Sequence, residues 1–259
     1  MSNNYQIFRI AAFSDNYIWA LVNDKYCAIV DPGEAAPVIE FLIHNKLTLT
    51  DILITHHHPD HIGGIDELQQ RFAPINIFGP TSDRFPMVTQ PCIEGDVINL
   101  SANIELNVLE LHGHTRDHIG YYDVQHAFVG DTLFSAGCGR LFEGTPEQMF
   151  ESLQKLQRLG DDIKVFCAHE YTQNNIKFAL VVDPNNTALL EYQQKVRTLR
   201  NKGAASIPTT IGIERQVNPF LRCHDRSIKH NIEQHFNSNG DIKSDTEYFA
   251  LLRQWKDNF

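Results

Sequence analysis

Short apolar runs, separated by turns, dominate the first two thirds of the chain. Several of them end at turn residues such as Asp31-Pro32-Gly33 and Gly79-Pro80. Runs of this length that are rich in β-branched and large apolar residues predict buried strands. The predicted strands are residues 26–30, 49–54, 75–78, 104–109, 127–129 and 164–168.

Apolar residues recur at helical spacing in three segments of the same region, 35–45, 62–72 and 146–159. Thr145 precedes the last of these as an expected N-cap, with Glu147 in the first turn. Strand clusters interrupted by single helices predict a mixed sheet core covered by helices. The fold class indicated by this pattern is an α/β sandwich.

The pattern from residue 171 onward is mostly helical. Residues 187–201, 227–236 and 246–255 each have one apolar face and predict amphipathic helices. The stretch 207–221 contains prolines and predicts an extended segment. We therefore expect a catalytic sandwich over residues 1–170 and a small helical, substrate-binding domain over residues 171–259.

Composition and charge narrow the classes of function. The formal net charge of −10 disfavours nucleic acid and anionic membranes as partners. The five cysteines contain no Cys-x-x-Cys pair, which favours a reducing compartment over a disulfide framework. No apolar run approaches the roughly 20 residues that span a bilayer, and the start, residues 1–6, is unlike a secretory signal. We expect a cytoplasmic monomer.

The strongest chemical signal lies between the predicted strand 49–54 and the predicted helix 62–72. Residues i and i+2 of an extended segment share a face, so His56 and His58 can bind one ion while His57 points away. Asp60 and His61 project in another direction, where a second ion could bind. Such crowding of polar groups at a buried strand end would be unfavourable without a compensating cation. The spacing predicts a site for two metal ions.

Three further residues near the ends of predicted strands complete the predicted ligand set. His56, His58 and His114 would hold one ion, Asp60, His61 and His169 would hold the other, and Asp131 would bridge both. Nitrogen and carboxylate ligands without thiolates suit Zn²⁺ and tolerate Fe or Mn. Gly130 would let the backbone approach a crowded site. The other histidines are interpreted as surface or structural residues, namely His44, His112, His118, His126, His224, His230 and His235.

On these residues the chain resembles the metallo-β-lactamase superfamily, whose mark is a His-x-His-x-Asp-His motif after a strand. That resemblance implies an αββα sandwich with a dinuclear site along one edge. A closer resemblance, over essentially the whole chain, is to the glyoxalase II (hydroxyacylglutathione hydrolase) family. It is carried by the segments 113–115, 130–134, 137–145, 169–172, 218–222 and 253–256.

The closer resemblance implies hydrolysis of S-D-lactoylglutathione and related S-2-hydroxyacylglutathiones to D-lactate and glutathione, in methylglyoxal detoxification. It also implies that Arg140, Phe142, Tyr171, Arg253 and Lys256 hold the glutathione moiety. Some family members have tyrosine where Phe142 stands, and Phe142 can pack against a ligand but cannot donate a hydrogen bond. Arg253 and Lys256 are three residues apart and could meet one carboxylate together.

The expected mechanism uses a water that bridges the two ions and loses its proton near neutral pH. This hydroxide attacks the thioester carbonyl, while Asp60 aims it and Asp131 bridges the ions. The leaving thiol, whose pKa is about 8.5, needs no dedicated acid. The alternatives are nucleophilic catalysis by Cys138, a mononuclear iron oxidoreductase similar to persulfide dioxygenases, nucleic-acid processing, and a non-catalytic metal-binding module.

Overall fold

The structure, a computed structural model, describes residues 5–238 and 242–259. Residues 1–4 lie outside the described residues. They belong to the segment 1–6 that is compared with a secretory signal above. The described chain forms two compact units, one from residues up to 110 and 117–130, the other from 111–116 and 131–259. Over the part of the chain that is described, no helix has both the length and the apolar character to cross a membrane.

The first unit consists of two sheets and helices α1 (Ala35–Asn45), α2 (Pro59–Ile62) and α3 (Ile65–Phe72). Its strands are β1 (Gln6–Ala12), β2 (Asn16–Asn23), β3 (Tyr26–Val30), β4 (Thr48–Leu53), β5 (Asn76–Pro80), β6 (Gln90–Cys92), β7 (Val97–Leu100), β8 (Ile104–Glu110), β9 (Ile119–Tyr122) and β10 (His126–Gly130). Strands β1 to β6 are neighbours in that order in the first sheet. Strands β7 to β10 pair antiparallel in the second.

The register of the first sheet brings polar strand ends together. Strands β1, β2 and β3 are antiparallel, whereas β3, β4, β5 and β6 run parallel. Val30 at the end of β3 pairs with Leu53 at the end of β4. Asp31 and the segment that begins at Thr55 therefore leave the sheet at the same edge, which is where parallel sheets present functional groups.

Burial on both faces explains why the central strands read as continuous apolar runs. Val38 and Leu68, from α1 and α3, pack with Ile29 and Ile52 of the first sheet. Ala28, which points to the other face, is fully buried too. The second sheet reaches the end of β4, where Tyr121 donates a 2.8 Å hydrogen bond to the carbonyl of Ile54.

The second unit is mainly helical. Its short strands are β11 (Leu133–Phe134), β12 (Gly137–Cys138), β13 (Lys164–Cys167) and β14 (Thr209–Thr210), of which β11 and β12 form a hairpin. Its helices are α4 (Pro146–Gln157), α5 (Thr172–Val182), α6 (Thr187–Asn201), α7 (Ile211–Val217), a 3-10 turn (Pro219–Leu221), α8 (Arg226–Phe236) and α9 (Asp245–Asp257). A hydrophobic cluster joins Ala136, in the turn of the hairpin, to Leu189, Val196 and Val217 of the helices.

Two helices have the predicted bounds, 35–45 and 187–201, and the predicted N-cap is confirmed. The Thr145 hydroxyl accepts a hydrogen bond from the Gln148 amide at 3.3 Å, and the Gln148 side chain accepts one from the Thr145 amide at 2.9 Å. This reciprocal pair is a capping box, which satisfies backbone donors at the start of α4.

The prediction of an extended segment over residues 207–221 is wrong, because α7 and the 3-10 turn lie within it. Helix α7 has seven residues, fewer than a periodicity window of roughly 11–18 residues can resolve. Prolines 208 and 219 flank it and gave the segment its extended character. The start of α7 is capped by Thr210, whose side chain accepts a hydrogen bond from the Ile213 amide at 3.2 Å.

Candidate metal centre

His56 and His58 face each other just before α2. His56 Nε2 lies 3.0 Å from His58 Nδ1, whereas His57 Nδ1 lies 3.7 Å from Asp117 Oδ1. Two ligand atoms on one tetrahedral ion, each at roughly 2.0–2.1 Å, would be about 3.3 Å apart. The two nitrogens therefore lie close to the separation that one ion needs, and His57 is turned elsewhere, as the alternation predicts.

Asp31, which the sequence did not single out as a site residue, orients His61. Its carboxylate lies 3.0 Å from His61 Nδ1 and accepts hydrogen bonds from the Thr55 amide and hydroxyl at 2.8 and 2.7 Å. A carboxylate on one ring nitrogen fixes the tautomer and directs the other nitrogen to a metal. That other nitrogen, His61 Nε2, lies 3.6 Å from Asp60 Oδ2. In the sequence Asp31 is visible only as an acidic residue directly after a predicted strand, and its role depends on the pairing of that strand with β4.

Two more neighbours of these ligands were not predicted. The Asn16 side-chain amide donates a 3.0 Å hydrogen bond to Asp60 Oδ2. The ring of His118, fully buried, stacks on His56 with ring centroids 4.8 Å apart. The sequence interpretation of His118 as a surface or structural residue stays a prediction; in the structure its ring is buried and packs directly on a predicted ligand.

In the second unit, Asp131 lies between two predicted histidine ligands. Its Oδ2 is 3.4 Å from His114 Nε2 and its Oδ1 is 3.3 Å from His169 Nε2. All three side chains are buried. Each carboxylate oxygen therefore faces a different imidazole at a distance near that of two ligands on one ion, which is the arrangement that a bridging carboxylate requires.

The surroundings of these three residues fix how they point. His114 donates its Nδ1 hydrogen to the Arg140 carbonyl at 2.8 Å, so Nε2 carries the lone pair in the neutral ring. Tyr171 stacks on His169 with ring centroids 4.7 Å apart. A Cβ atom at Gly139 would lie 1.9 Å from the Asp131 carbonyl oxygen, so only glycine fits there.

The chemistry of these donors fits divalent metal ions. A lone-pair nitrogen of His114 and an anionic oxygen of Asp131 repel at 3.4 Å unless a cation lies near both. Imidazole nitrogen and carboxylate oxygen suit Zn²⁺, Fe and Mn.

At Gly130, a Cβ atom would lie 2.4 Å from the Thr55 hydroxyl and φ is +49°, which confirms that glycine permits a close backbone approach.

Three of the residues predicted to bind substrate form a cationic cluster in the second unit. The exposed Arg140 lies 3.3 Å from Asp257 Oδ1, and the buried Arg253 lies 2.9 Å from the same oxygen. Lys256 is half-buried, and burial, together with the charge of Arg253, lowers its pKa to about 8. Asp257 was not predicted, although its position four residues after Arg253 on α9 is the usual spacing of a helical ion pair.

The two aromatic residues predicted to bind substrate lie beside two of the predicted metal ligands of this unit, His114 and His169. The ring of Phe142 is 61% exposed and lies 5.3 Å from that of His114. Tyr171 stacks on His169 as described, and Phe134 packs edge-on against Tyr171 at 5.3 Å. An exposed apolar ring next to a buried ligand is a suitable surface for an apolar part of a substrate.

Cys138 does not have the properties of an activated nucleophile. The side chain is buried, and burial raises the pKa of the thiol to about 11. A thiol with this pKa stays protonated near neutral pH, whereas a catalytic cysteine needs its thiolate.

Comparisons with known proteins place both parts of the chain. Residues 170–259 match the family model for the hydroxyacylglutathione hydrolase C-terminus, and residues 13–90 and 73–169 match the metallo-β-lactamase superfamily. A hydroxyacylglutathione hydrolase of Aliivibrio salmonicida is 51% identical over 96% of this chain and 98% of its own. One from Photobacterium profundum is 48% identical over the same shares.

A solved structure gives the fold. The BLEG-1 B3 metallo-β-lactamase matches with a TM-score of 0.63 at 23% identity, over 83% of this chain and 99% of its own. The predicted αββα sandwich followed by a helical region is therefore confirmed.

Proposed function

Because the chain belongs to the hydroxyacylglutathione hydrolases of the metallo-β-lactamase superfamily, we propose that its substrate is S-D-lactoylglutathione, hydrolysed to D-lactate and glutathione. The chain is a metal-dependent thioester hydrolase that acts on hydroxyacylglutathiones. The D-lactoyl group, the acceptance of related 2-hydroxyacyl groups and the role in methylglyoxal detoxification are the specific parts of the proposal. The observation that carries it is the 51% identity to a hydrolase of this name over 96% of the chain.

For the metal centre we propose two divalent ions, preferably zinc, with iron or manganese compatible. His56, His58 and His114 would hold one ion, Asp60, His61 and His169 would hold the other, and Asp131 would bridge them. The order of these residues along the chain and the two faces of Asp131 support this assignment. When bound, such ions lower the pKa of a water and polarise a carbonyl oxygen.

The side chains around the metal would supply orientation. Asn16 holds one oxygen of Asp60 by a 3.0 Å hydrogen bond, so the carboxylate has a fixed direction in which to accept a hydrogen bond from the attacking water. Phe142 and Tyr171 would pack against the substrate and keep bulk water from the thioester. The leaving thiolate of glutathione needs no proton donor, because a thiol pKa of about 8.5 is low enough for direct departure.

The cationic cluster would bind a carboxylate of the glutathione moiety. Arg140, Arg253 and Lys256 are the candidate cations, and the two arginines already hold the carboxylate of Asp257. A substrate carboxylate would compete with Asp257 for the same guanidinium groups. Bidentate contacts to arginine are well suited to carboxylates, so this cluster gives a physical reason for a preference for glutathione thioesters.

The remaining sequence predictions stay predictions. They are a catalytic domain over residues 1–170, a substrate-binding domain over 171–259, a cytoplasmic location, a monomeric state, and no nucleic-acid or membrane partner. Gel filtration with light scattering would measure the oligomeric state directly.

The test is an assay of S-D-lactoylglutathione hydrolysis together with metal analysis of the same preparation. We expect release of free thiol and close to two metal ions per chain. The D-lactoyl thioester of N-acetylcysteamine is the matched control, since it has the same reacting bond and no carboxylate, and we expect it to react far more slowly. One iron per chain and oxygen consumption with a glutathione persulfide, without thioester hydrolysis, would instead establish the dioxygenase alternative.

A further inference from the structure

The segment Asn218-Pro219-Phe220 has no part in the proposed chemistry, yet Asn218 is fully buried. Asn218 follows α7, four residues after Glu214, which is also fully buried. Both side chains point at the turn of the β11–β12 hairpin, whose first strand begins two residues after Asp131.

The contacts of these two side chains are with backbone atoms of that turn. The Asn218 amide donates to the carbonyls of Phe134 and Gly137 at 3.2 and 2.9 Å. Glu214 Oε2 accepts a hydrogen bond from the backbone N–H of Ala136 at 2.8 Å and another from the side-chain amide of Asn218 at 2.9 Å. Ala136 has a φ of +56°, a strained conformation for a residue with a side chain, which persists only where the surroundings hold it.

Other side chains of the second unit hold the same turn. Ser135 Oγ lies 2.8 Å from the Tyr192 hydroxyl, and the Ser135 carbonyl accepts a 3.1 Å hydrogen bond from Asn175. Thr209 donates a 2.7 Å hydrogen bond to the second oxygen of Glu214. The turn is therefore fixed from several elements at once, with Glu214 and Asn218 making the direct bonds to its backbone.

The hairpin, in turn, is bonded to the parts of the chain that carry metal ligands. The Gly139 amide donates to the Thr132 carbonyl at 3.1 Å, beside Asp131. The Arg140 carbonyl accepts the 2.8 Å hydrogen bond that orients His114. The Phe134 ring lies 5.9 Å from that of His169. All three predicted ligands of this unit thus adjoin the hairpin or the residues that follow it.

We propose that Glu214 and Asn218 are positioning residues, which clamp the turn of the hairpin so that Asp131 and His114 present their metal-binding atoms in the required directions. The inference rests on the proposed function, because it assumes that Asp131 and His114 bind metal. Groups that bond directly to the ligands of a metal commonly affect affinity or activity about 10–100-fold when removed. Glu214 and Asn218 act one step farther away, through the hairpin, so we expect an effect at the lower end of that range.

The test measures metal affinity by competition with a chromogenic chelator, without substrate, and then kcat and KM at saturating metal. We expect Asn218→Ala and Glu214→Ala to weaken metal binding about 10-fold and to lower kcat more than they raise KM. Glu214→Gln keeps an oxygen for the Ala136 amide, so we expect it to restore affinity nearly to that of the wild type.

Asn231→Ala is the matched control, because the Asn231 amide also donates to a backbone carbonyl, that of Val182 at 2.9 Å, within the same unit. We expect this variant to lose some stability and no metal affinity. If the alanine variants do not fold, Asn218→Ser serves instead, since a hydroxyl can still accept a hydrogen bond from the Phe220 amide but cannot bond to the Phe134 and Gly137 carbonyls at once, and we expect the same loss of metal affinity.

Unchanged metal affinity in folded variants, with only a lower free energy of unfolding, would overturn the inference. The outcome is separable from that of the proposed function. A wild-type chain that binds metal tightly and hydrolyses no hydroxyacylglutathione would refute the function alone, while the affinities of the variants would still decide the role of the clamp.

Discussion

At Asp131, the two oxygens of a single carboxylate face different histidines at 3.4 and 3.3 Å. The single negative charge of a carboxylate is shared by both oxygens, so each oxygen can bind one of two cations. An amide of the same shape keeps one oxygen but replaces the other with a nitrogen that donates hydrogen bonds. The proposed bridge therefore depends on the charge of this residue and not only on its shape.

We expect Asp131→Asn to lose most of the bound metal and nearly all thioesterase activity. Metal content by mass spectrometry and kcat on S-D-lactoylglutathione are the measurements. Full activity of this variant with a single metal ion per chain would contradict the dinuclear assignment.

Asp257 provides a second prediction, because it already occupies the arginines proposed to bind the substrate carboxylate. We expect Asp257→Asn to lower KM for glutathione thioesters several-fold with little change in kcat, since the competing negative charge is gone. Arg253→Ala is the opposite variant and should raise KM. A KM that is unchanged in both would remove this cluster from the substrate site.

The candidate ligands could be proposed at this scale because their spacing along the chain carries the information. Asp31 and Asn16 could not, since their contacts with His61 and Asp60 depend on how neighbouring strands are paired. The pairing of Val30 with Leu53 places Asp31 beside Thr55, and no local pattern specifies that register. Asp257 had a local signal, but a single helical ion pair at a chain end is common on exposed helices.

A helix could be predicted from the sequence where its buried face is apolar and its exposed face is polar. Helix α6 has buried Leu189, Tyr192 and Val196 on one side, and its bounds were predicted correctly. Helix α5 was not predicted, because polar Thr172 and Asn175 are buried while apolar Val181 is 46% exposed. That pattern hides the helical period, and only the tertiary surroundings of α5 explain it.

The capping box of α4 allows a prediction about stability. We expect Thr145→Ala to lower the free energy of unfolding by about 1 kcal/mol, since one end of the box is lost. Urea denaturation followed by circular dichroism would measure this, with Gln148→Ala as the partner variant and the double variant to close the cycle. A midpoint identical to that of the wild type would mean that the box does not stabilise α4.

For the whole molecule, the buried Glu214 makes stability depend on pH. Burial raises the pKa of this carboxyl from 4.5 to about 7, although hydrogen bonds from Thr209, the Ala136 amide and Asn218 oppose the shift. The charged and titratable groups facing it include Tyr192 and Cys167, which burial keeps neutral by raising the pKa of each. The folded chain therefore holds this proton more tightly than the unfolded chain.

The contribution of protonated Glu214 to the free energy of unfolding is fully present below about pH 4.5 and is lost as the pH rises through about 7. Glutamine cannot ionise, so Glu214→Gln lacks this contribution at every pH. We therefore expect the free energy of unfolding of the wild type, relative to that of Glu214→Gln, to fall as the pH rises across this window and then to stay level. Urea denaturation at a series of pH values on both proteins, identically loaded with metal, measures the difference, in which other titrating groups cancel. Parallel stability curves would show that the pKa of Glu214 is not raised.

The place of Ala136 in the hydrophobic cluster of the helices has an evolutionary consequence. The turn of the hairpin that follows Asp131 packs, through Ala136, in the same hydrophobic cluster as Leu189, Val196 and Val217 of the helices after residue 171. We therefore expect that an exchange of the C-terminal helices for those of another protein would also disturb the hairpin next to Asp131, the proposed bridging ligand. If the proposed sites are correct, substrate binding and metal binding depend on one shared core, and we expect the two properties to change together in lineages that recruit this fold for other thioesters.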